Sequence, residues 1–410
     1  MKVQRLLFPG SSVRLEELPI FDSVIYLKPF DDKIIHFLDQ FSRSILLDKS
    51  LNRLPEMAAL GFWLRKANLM LLKKENKHLF DNPKYQLSPI GKVLHICPSN
   101  VDTMFLYSMA VSLLMGNQNI LRISSRMKAP TVVALFGLLR DVLKQNENSS
   151  FQSFVELVSY EHNSDINEWI SSRVNARLIW GGDATIDKFR QYKSAPRTKD
   201  IVFADRISLM ILNCKSILEL KEVDRLAFSK SFFNDTYTFD QMGCASPQTI
   251  FFIGTAAEYQ ACVTIIIEMI SSQVEKNSNL DINSLATLKL NRAVDDALNE
   301  YFTEPPIGNN LIRFIPLSKS VDVSNLHGCG GGYFYIQNLD SLENIPEIRK
   351  PKVQTITYFG LTENEKQQLI ELANGEGIDR IVPLGQALTF DYIWDGYQLF
   401  DELSKKIAVK

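Results

Sequence analysis

Residues 239–252 read FDQMGCASPQTIFF, which puts Cys244 directly after a glycine and just ahead of a strand-like apolar run. A thiol in such a loop can attack a carbonyl as its thiolate, and nearby amide dipoles can lower its pKa. The competing reading is a structural cysteine, since cysteine outside disulfides is among the most buried residue types. Cys97, Cys214, Cys262 and Cys329 are widely spaced, and no C-x-x-C occurs. That pattern argues against a disulfide framework and a zinc site, so no metal is expected. Cys262 falls in a helical pattern, and Cys97 and Cys214 fall in or beside strands, which suits structural roles. Two glycine-rich turns also invite attention. WGGD (180–183) stands where a strand gives way to a helix. Glycine permits close backbone approach there and a helix N-terminus favours anions, although a plain tight turn has the same sequence. GCGGGYF (328–334), preceded by His327, reads as a glycine-rich loop between strands.

These residues need elements to hold them. The chain has 410 residues, which suggests two or three domains and a large core. Hydrophobic residues are 45% and charged residues 22%, as in an ordinary globular protein. A net charge of −2 advertises neither nucleic acid nor an anionic membrane as partner. The first residues, MKVQRLLFPGSS, make a poor signal peptide, and MFLYSMAVSLLMG (104–116) is too short to span a bilayer. No transmembrane segment and a reducing cytoplasm are the expectation.

DDKIIHFLDQFSRSIL (31–46) and PEMAALGFWLRKANLMLLKK (55–74) carry apolar residues at helical spacing and read as core helices. From residue 91 strands and helices alternate. GKVLHIC (91–97) is a strand, a helix follows through Met115, and Gly116 sits where a helix end wants positive φ. NILRIS (119–124), FVELVSY (154–160), ARLIWGG (176–182) and KDIVFAD (199–205) continue as strands with helices between them. This predicts a parallel sheet covered on both faces, an architecture that binds dinucleotides. A second α/β region follows residue 210. Its pieces are a helix at 222–233, the Cys244 loop, the strand SPQTIFFIG, a helix at 256–276, the strand KVQTITYFG, a helix at 362–375 and the strand DRIVPLG (379–385). The expected organisation is an N-terminal segment and Rossmann-like cofactor domain over 1–208, and a catalytic domain over 209–380. A tail over 381–410 is expected to pack back on the cofactor domain or at an oligomer interface, and a homo-oligomer is the expected assembly.

Four stretches, taken together and in order, resemble the aldehyde dehydrogenase superfamily, and within it the LuxC-type fatty acyl-CoA reductases. They are HICPSNVDTMFLYSMAVSLLMGNQNILRISS, ARLIWGGDATIDKFR, DQMGCASPQTIFF and DRIVPLGQALTFDYIWDGYQLFDELS, and the likeness runs from about residue 30 to 405. The resemblance implies a Rossmann-type cofactor domain and an α/β catalytic domain with a cleft between them. It makes Cys244 the acyl acceptor. Asn100 matches the superfamily's oxyanion donor, though asparagine is also a favoured helix N-cap. Arg122, Ser124 and Ser125 match the stretch that touches the adenosine ribose. Arg122 replaces a lysine there, and Ser125 replaces the glutamate that would bind a free 2′-hydroxyl. With Arg122 or Arg126 able to pair with a 2′-phosphate, the cofactor implied is NADPH; the alternative is a solvated basic turn. Gly181 and Gly182 match the loop beside the pyrophosphate, and Asp183 reads as the helix cap.

The family's hydrolytic members carry a glutamate base where this chain has Phe203, and Asp205 is displaced by about two positions. A base is needed to turn water on an acyl-cysteine, so its loss favours reduction of an acyl thioester. His327 and glycines 328–332 lie where a mobile loop could approach the nicotinamide. The implied function is NADPH-dependent reduction of fatty acyl-CoA to aldehyde. The donor is acyl-CoA or an acyl-protein, with an acyl-protein synthetase as a conceivable partner. The alternatives are a non-redox carrier acylated on Cys244 and an NAD(P)-dependent aldehyde dehydrogenase.

Overall fold

A computed structural model describes residues 1–7, 12–22, 26–98, 101–277, 281–302, 304–318, 321–346, 348–373 and 375–410. The chain divides into two compact units, Met1–Ala204 with Phe390–Lys410, and Asp205–Thr389.

The strands of the first unit begin with Lys2–Arg5 (β1), Ser12–Arg14 (β2), Tyr85–Pro89 (β3), Lys92–Ile96 (β4) and Gln118–Arg122 (β5). Val155–Ser159 (β6), Ala176–Trp180 (β7) and Lys199–Phe203 (β8) follow. Seven of them form one sheet, in the order β2-β1-β6-β5-β4-β7-β8. The five from β6 to β8 are parallel, and β1 adds antiparallel to β6 and β2. Read in chain order, the parallel strands lie 3-2-1-4-5, the doubly wound arrangement whose direction reverses between β4 and β7.

Strands covered on both faces must be apolar throughout, and β7 is buried at all five positions. Two ion pairs lie within this sheet. Arg177 holds Asp200 through two hydrogen bonds of 2.6 and 2.7 Å, and Arg5 holds Glu156 through two of 2.7 Å. The apolar helix Met104–Leu114 is buried along its whole length. One of its serines links two strands of the sheet, because Ser108 Oγ lies 2.7 Å from His95 Nδ1 and accepts from Trp180 Nε1 at 3.0 Å. Burial holds the His95 imidazole neutral, with its pKa pushed down to about 4. Gly116 ends the helix at φ 82°, where a Cβ would lie 2.0 Å from the Leu27 carbonyl oxygen.

The second unit contains Ile207–Asn213 (β9), Pro247–Ile253 (β10), Ile307–Gly308 (β11), Arg313–Pro316 (β12), Tyr333–Leu339 (β13), Val353–Phe359 (β14) and Arg380–Pro383 (β15). Their order is β11-β12-β13-β10-β9-β14-β15, parallel except at the β11–β12 edge. Alternate residues feed two cores. Met210, Leu212, Ile250, Phe252, Phe334 and Ile336 pack in one. Leu209, Ile211, Phe251, Tyr333 and Tyr335 pack in the other.

The expected 209–380 domain therefore runs over 205–389, and the tail of the first unit begins at Phe390. The reason is local. β15 pairs with β14, and the Arg380 guanidinium donates to the carbonyls of Ala387 (3.1 Å) and Thr389 (3.4 Å), which keeps this segment in the second unit. Ile393–Trp394 (β16) pairs with Tyr397–Gln398 (β17), and Ser404–Ala408 (β18) pairs antiparallel with β3.

Asn117 ties this tail to the first sheet. Its side chain accepts from Gly91 N at 3.0 Å and donates to Leu403 O at 2.8 Å, fully buried. Asn117→Ala leaves both backbone groups without that partner. Urea unfolding should show a loss of about 2–4 kcal/mol with an unchanged m value.

Candidate active site

The helix Glu222–Thr236 ends in a loop that carries Cys244 to the start of β10. Ser246 N donates to Gly243 O at 2.9 Å, so Cys244 occupies the second position of a tight turn. Its carbonyl accepts from Ser208 Oγ, on the neighbouring β9, at 2.7 Å. Ala245 and Ser246 are buried, while Cys244 and Met242 are exposed. Among the five cysteines Cys244 alone is exposed; Cys97, Cys214 and Cys262 are buried and Cys329 is half-buried. Burial raises the Cys97 pKa far above the usual thiol range, which makes it inert. Accessibility thus separates Cys244 from the structural thiols.

Two residues of the loop, Asp240 and Gln241, adopt left-handed backbone, with φ 51° and 65°. Their neighbours hold them there. The buried Gln241 side chain donates to Pro247 O (2.9 Å) and Tyr333 O (3.0 Å) and accepts from Gly332 N (3.0 Å) and Tyr333 N (3.1 Å). Gly331 N donates to Asp240 O at 2.9 Å, and Gly328 N donates to Gln248 Oε1 at 3.0 Å.

These contacts explain the glycine run. A Cβ on Gly332 would lie 2.2 Å from Tyr237 Oη, and one on Gly330 would lie 2.5 Å from Asp240 O. Both glycines have positive φ. The run is therefore the packing partner of the cysteine loop, where the sequence suggested a mobile loop. Behind it, Tyr333 and Tyr335 each donate to the buried Asp296 carboxylate at 2.8 Å, and Arg292 pairs with its other oxygen. At this amino edge of β9, β10, β13 and β14 lies a pocket of about 300 Å³, lined by Arg206, Gln248, His327, Gly328 and Lys352 among others. Gln241 and Ser208 escaped the sequence reading, because a single buried amide or hydroxyl leaves no periodic signal.

The candidate cofactor residues lie in the first unit, at carboxyl ends of its strands. Arg122 closes β5, with its guanidinium 5.1 Å from the Tyr160 ring centroid and its Nε buried without a hydrogen-bond partner among the described residues. Ser124 and Ser125 follow in the next turn, where Arg126 N donates to Ser124 Oγ at 3.3 Å. Ser125 and Arg126 are exposed. Gly181 and Gly182 leave β7 for the helix Asp183–Gln191. A Cβ on Gly181 would lie 3.1 Å from Thr185 Cγ2, a tight contact that a small shift of that side chain would have to relieve.

Asp183 does not cap that helix as expected. It is the first helical residue, and the N-cap is Gly182, which has no side chain to make the cap hydrogen bond. Glycine at the N-cap permits close backbone approach to this helix N-terminus, where the amide dipoles favour an anion. The strand order puts both groups around the reversal point where this architecture takes a dinucleotide, so the residues present fit one. Asn100 lies outside the described residues. Phe203 is buried and stacked on Trp180, with ring centroids 3.6 Å apart and planes 5° apart. No cluster of metal-ligating side chains occurs among the described residues, and no described helix is long and apolar enough to cross a membrane.

Residues 72–406 match the family described as Acyl-CoA reductase (LuxC). The chain is similar to the long-chain acyl-protein thioester reductase of Photorhabdus luminescens, 25% identical over 303 residues, which are 72% of this chain and 58% of that protein. It is also similar to the Vibrio harveyi protein of the same name, 22% identical over 304 residues, 72% of this chain and 59% of that one. The chain thus spans somewhat over half the length of these relatives. Among solved structures it resembles an oxidoreductase from Marinobacter aquaeolei, with a TM-score of 0.66, 13% identity and coverage of 100% of this chain and 94% of that one. It also resembles a lactaldehyde dehydrogenase, with a TM-score of 0.63, 11% identity and coverage of 96% and 87%. At such identities the likeness establishes the fold, that of the aldehyde dehydrogenases.

The exposure pattern makes a direct prediction. Limited iodoacetamide should alkylate Cys244 in the native protein well before Cys97, Cys214 or Cys262, as read by peptide mass spectrometry. Modification of a buried thiol first would contradict the loop geometry.

Proposed function

This chain belongs to the acyl-CoA reductase (LuxC) family, and on that premise we propose that it reduces a fatty acyl thioester to the aldehyde through an acyl-cysteine on Cys244. The observation that carries the reading is the accessible thiol of Cys244, set in a turn whose surroundings are fixed by hydrogen bonds.

In the first half-reaction the Cys244 thiolate attacks the thioester carbonyl carbon. The oxyanion that forms needs a donor, the role we assign to Asn100 by resemblance. The intermediate collapses with cleavage of the donor's carbon–sulfur bond, and the donor leaves as a thiolate that takes up a proton. Bound NADPH supplies the two electrons of the second half-reaction as a hydride. Cys244 holds the acyl carbon for that step and then takes back the electrons of its own carbon–sulfur bond as the aldehyde departs. The oxygen anion formed at reduction becomes the aldehyde oxygen.

Hydrolysis competes only if a base activates water. Phe203 occupies the position that matches the family's base, and its stacked ring can accept no proton. We assign the cofactor contacts to Arg122, Ser124, Ser125, Gly181 and Gly182, and the preference for NADPH to Arg122 and Arg126, with no carboxylate at Ser125 to repel a 2′-phosphate. The acyl donor is coenzyme A or a protein thioester. The names of the curated relatives support the latter, which would bring an acyl-activating partner.

Two experiments test this reading. Long-chain acyl-CoA with NADPH should give aldehyde with one NADPH oxidised per aldehyde, and acyl-CoA alone should release little fatty acid over many reduction half-times. Rapid fatty acid release without reductant would show that a base exists. Arg122→Ala should raise the transition-state barrier with NADPH by about 1–3 kcal/mol and change kcat/KM with NADH little. A wild-type preference for NADH would defeat the cofactor assignment.

A further inference from the structure

A buried primary amide has two N–H donors and an oxygen with two lone pairs. Gln241 uses all four, and it uses them on the two segments that flank the nucleophile's turn. Its N–H groups go to Pro247 O and Tyr333 O, and its oxygen takes the N–H groups of Gly332 and Tyr333. Every partner is backbone, so the bonds fix the course of the chain rather than the rotamer of another side chain. Gln241 also sits at φ 65°, which costs a non-glycine residue free energy unless the surroundings hold it there. The residue is 1% exposed, which keeps it away from any substrate in solution. Three residues later stands Cys244, and six residues later β10 begins at Pro247, one of the three bonded residues.

We propose that Gln241 is the positioning residue of the nucleophile: its amide sets where the Cys244 thiol stands for acyl transfer, by clamping the 240–247 segment to the start of β13. This rests on Cys244 being the acyl acceptor. It separates position from reactivity. Loss of the clamp leaves an exposed thiol of ordinary reactivity toward small reagents, but one displaced from the carbonyl it must attack. Near-attack geometry is steep, and a displacement of about 1 Å can cost roughly a hundredfold in rate.

Gln241→Glu is nearly isosteric and keeps both acceptor bonds, but a carboxylate cannot donate to Pro247 O or Tyr333 O. The test measures single-turnover acylation of Cys244 by long-chain acyl-CoA, and iodoacetamide alkylation of the same thiol. Ile356→Val, at a buried position in β14, serves as a control that loosens the same unit elsewhere. Gln241→Glu should slow acylation at saturating donor roughly ten- to a hundredfold, leave the half-saturating donor concentration within about twofold, and leave alkylation within about twofold. Ile356→Val should leave all three near wild type. Acylation at the wild-type rate in Gln241→Glu overturns the proposal, as does a parallel loss of alkylation, which would place the defect in the thiol itself. Equal slowing in Ile356→Val overturns it too, because any loosening would then suffice. If Gln241→Glu does not fold, Gln241→Asn keeps the amide but withdraws it by one methylene. Slowed acylation with normal alkylation is again the expected result, and wild-type acylation the contrary one. A wild type that takes no acyl group on Cys244 would sink the acyl-cysteine reading itself, a result distinct from equal acylation of wild type and variant.

Discussion

Hydrogen bonds that cross between loops, not between strands, hold the amino edge of the second sheet. Buried backbone donors and acceptors must be satisfied, and a loop has no ladder to satisfy them. Here the segment before β10 and the segment before β13 satisfy each other through Gln241, Asp240 O and the amides of Gly331, Gly332 and Tyr333. The close approach needs glycine on one side, since a Cβ at Gly330 or Gly332 would meet backbone or Tyr237 within 2.5 Å. The same approach ties the cysteine loop down through backbone hydrogen bonds while Cys244 stays exposed. An acyl acceptor requires both properties, and neither a surface loop nor a core cysteine offers them together.

The first unit solves a different problem. Its central strands are buried on both faces, and two ion pairs lie within the sheet: Arg177 with Asp200, and Arg5 with Glu156. Groups available for a ligand gather at the carboxyl ends of the strands, where Arg122 leaves β5 and Gly181 leaves β7. The helix after β7 starts from a glycine N-cap, and the Arg122 guanidinium lies over the Tyr160 ring.

Much of this was legible in the sequence because much of it is periodic. The alternation from residue 91 onward specified the parallel strands of the first sheet, and the expected 176–182 and 199–205 strands lie within two residues of Ala176–Trp180 and Lys199–Phe203. Gly116 announced its helix end for a steric reason that the structure repeats. What escaped has physical causes too. The helix Ile282–Leu298 exposes Leu288, Leu290, Val294 and Leu298 and buries Lys289 and Asp296, which inverts the pattern that sequence reasoning relies on. The antiparallel additions of β1 and β2 are three or four residues long, too short to carry a period. Asp183 looked like a cap by residue type, yet the chain enters the helix one residue earlier, at Gly182. For the proposed nucleophile, the motif pointed to Cys244, but nothing in it pointed to Gln241. Gln241 acts through backbone groups that are far apart in sequence.

The proposed chemistry stands or falls on a covalent bond to one sulfur. The direct measurement is intact-protein and peptide mass spectrometry after mixing the protein with a long-chain acyl-CoA in the absence of reductant. An acyl-cysteine route requires a mass gain of one acyl group, confined to the peptide that carries Cys244, sensitive to neutral hydroxylamine and discharged as aldehyde when NADPH is added. An acyl group on any other residue, or an equal gain in Cys244→Ala, would contradict it.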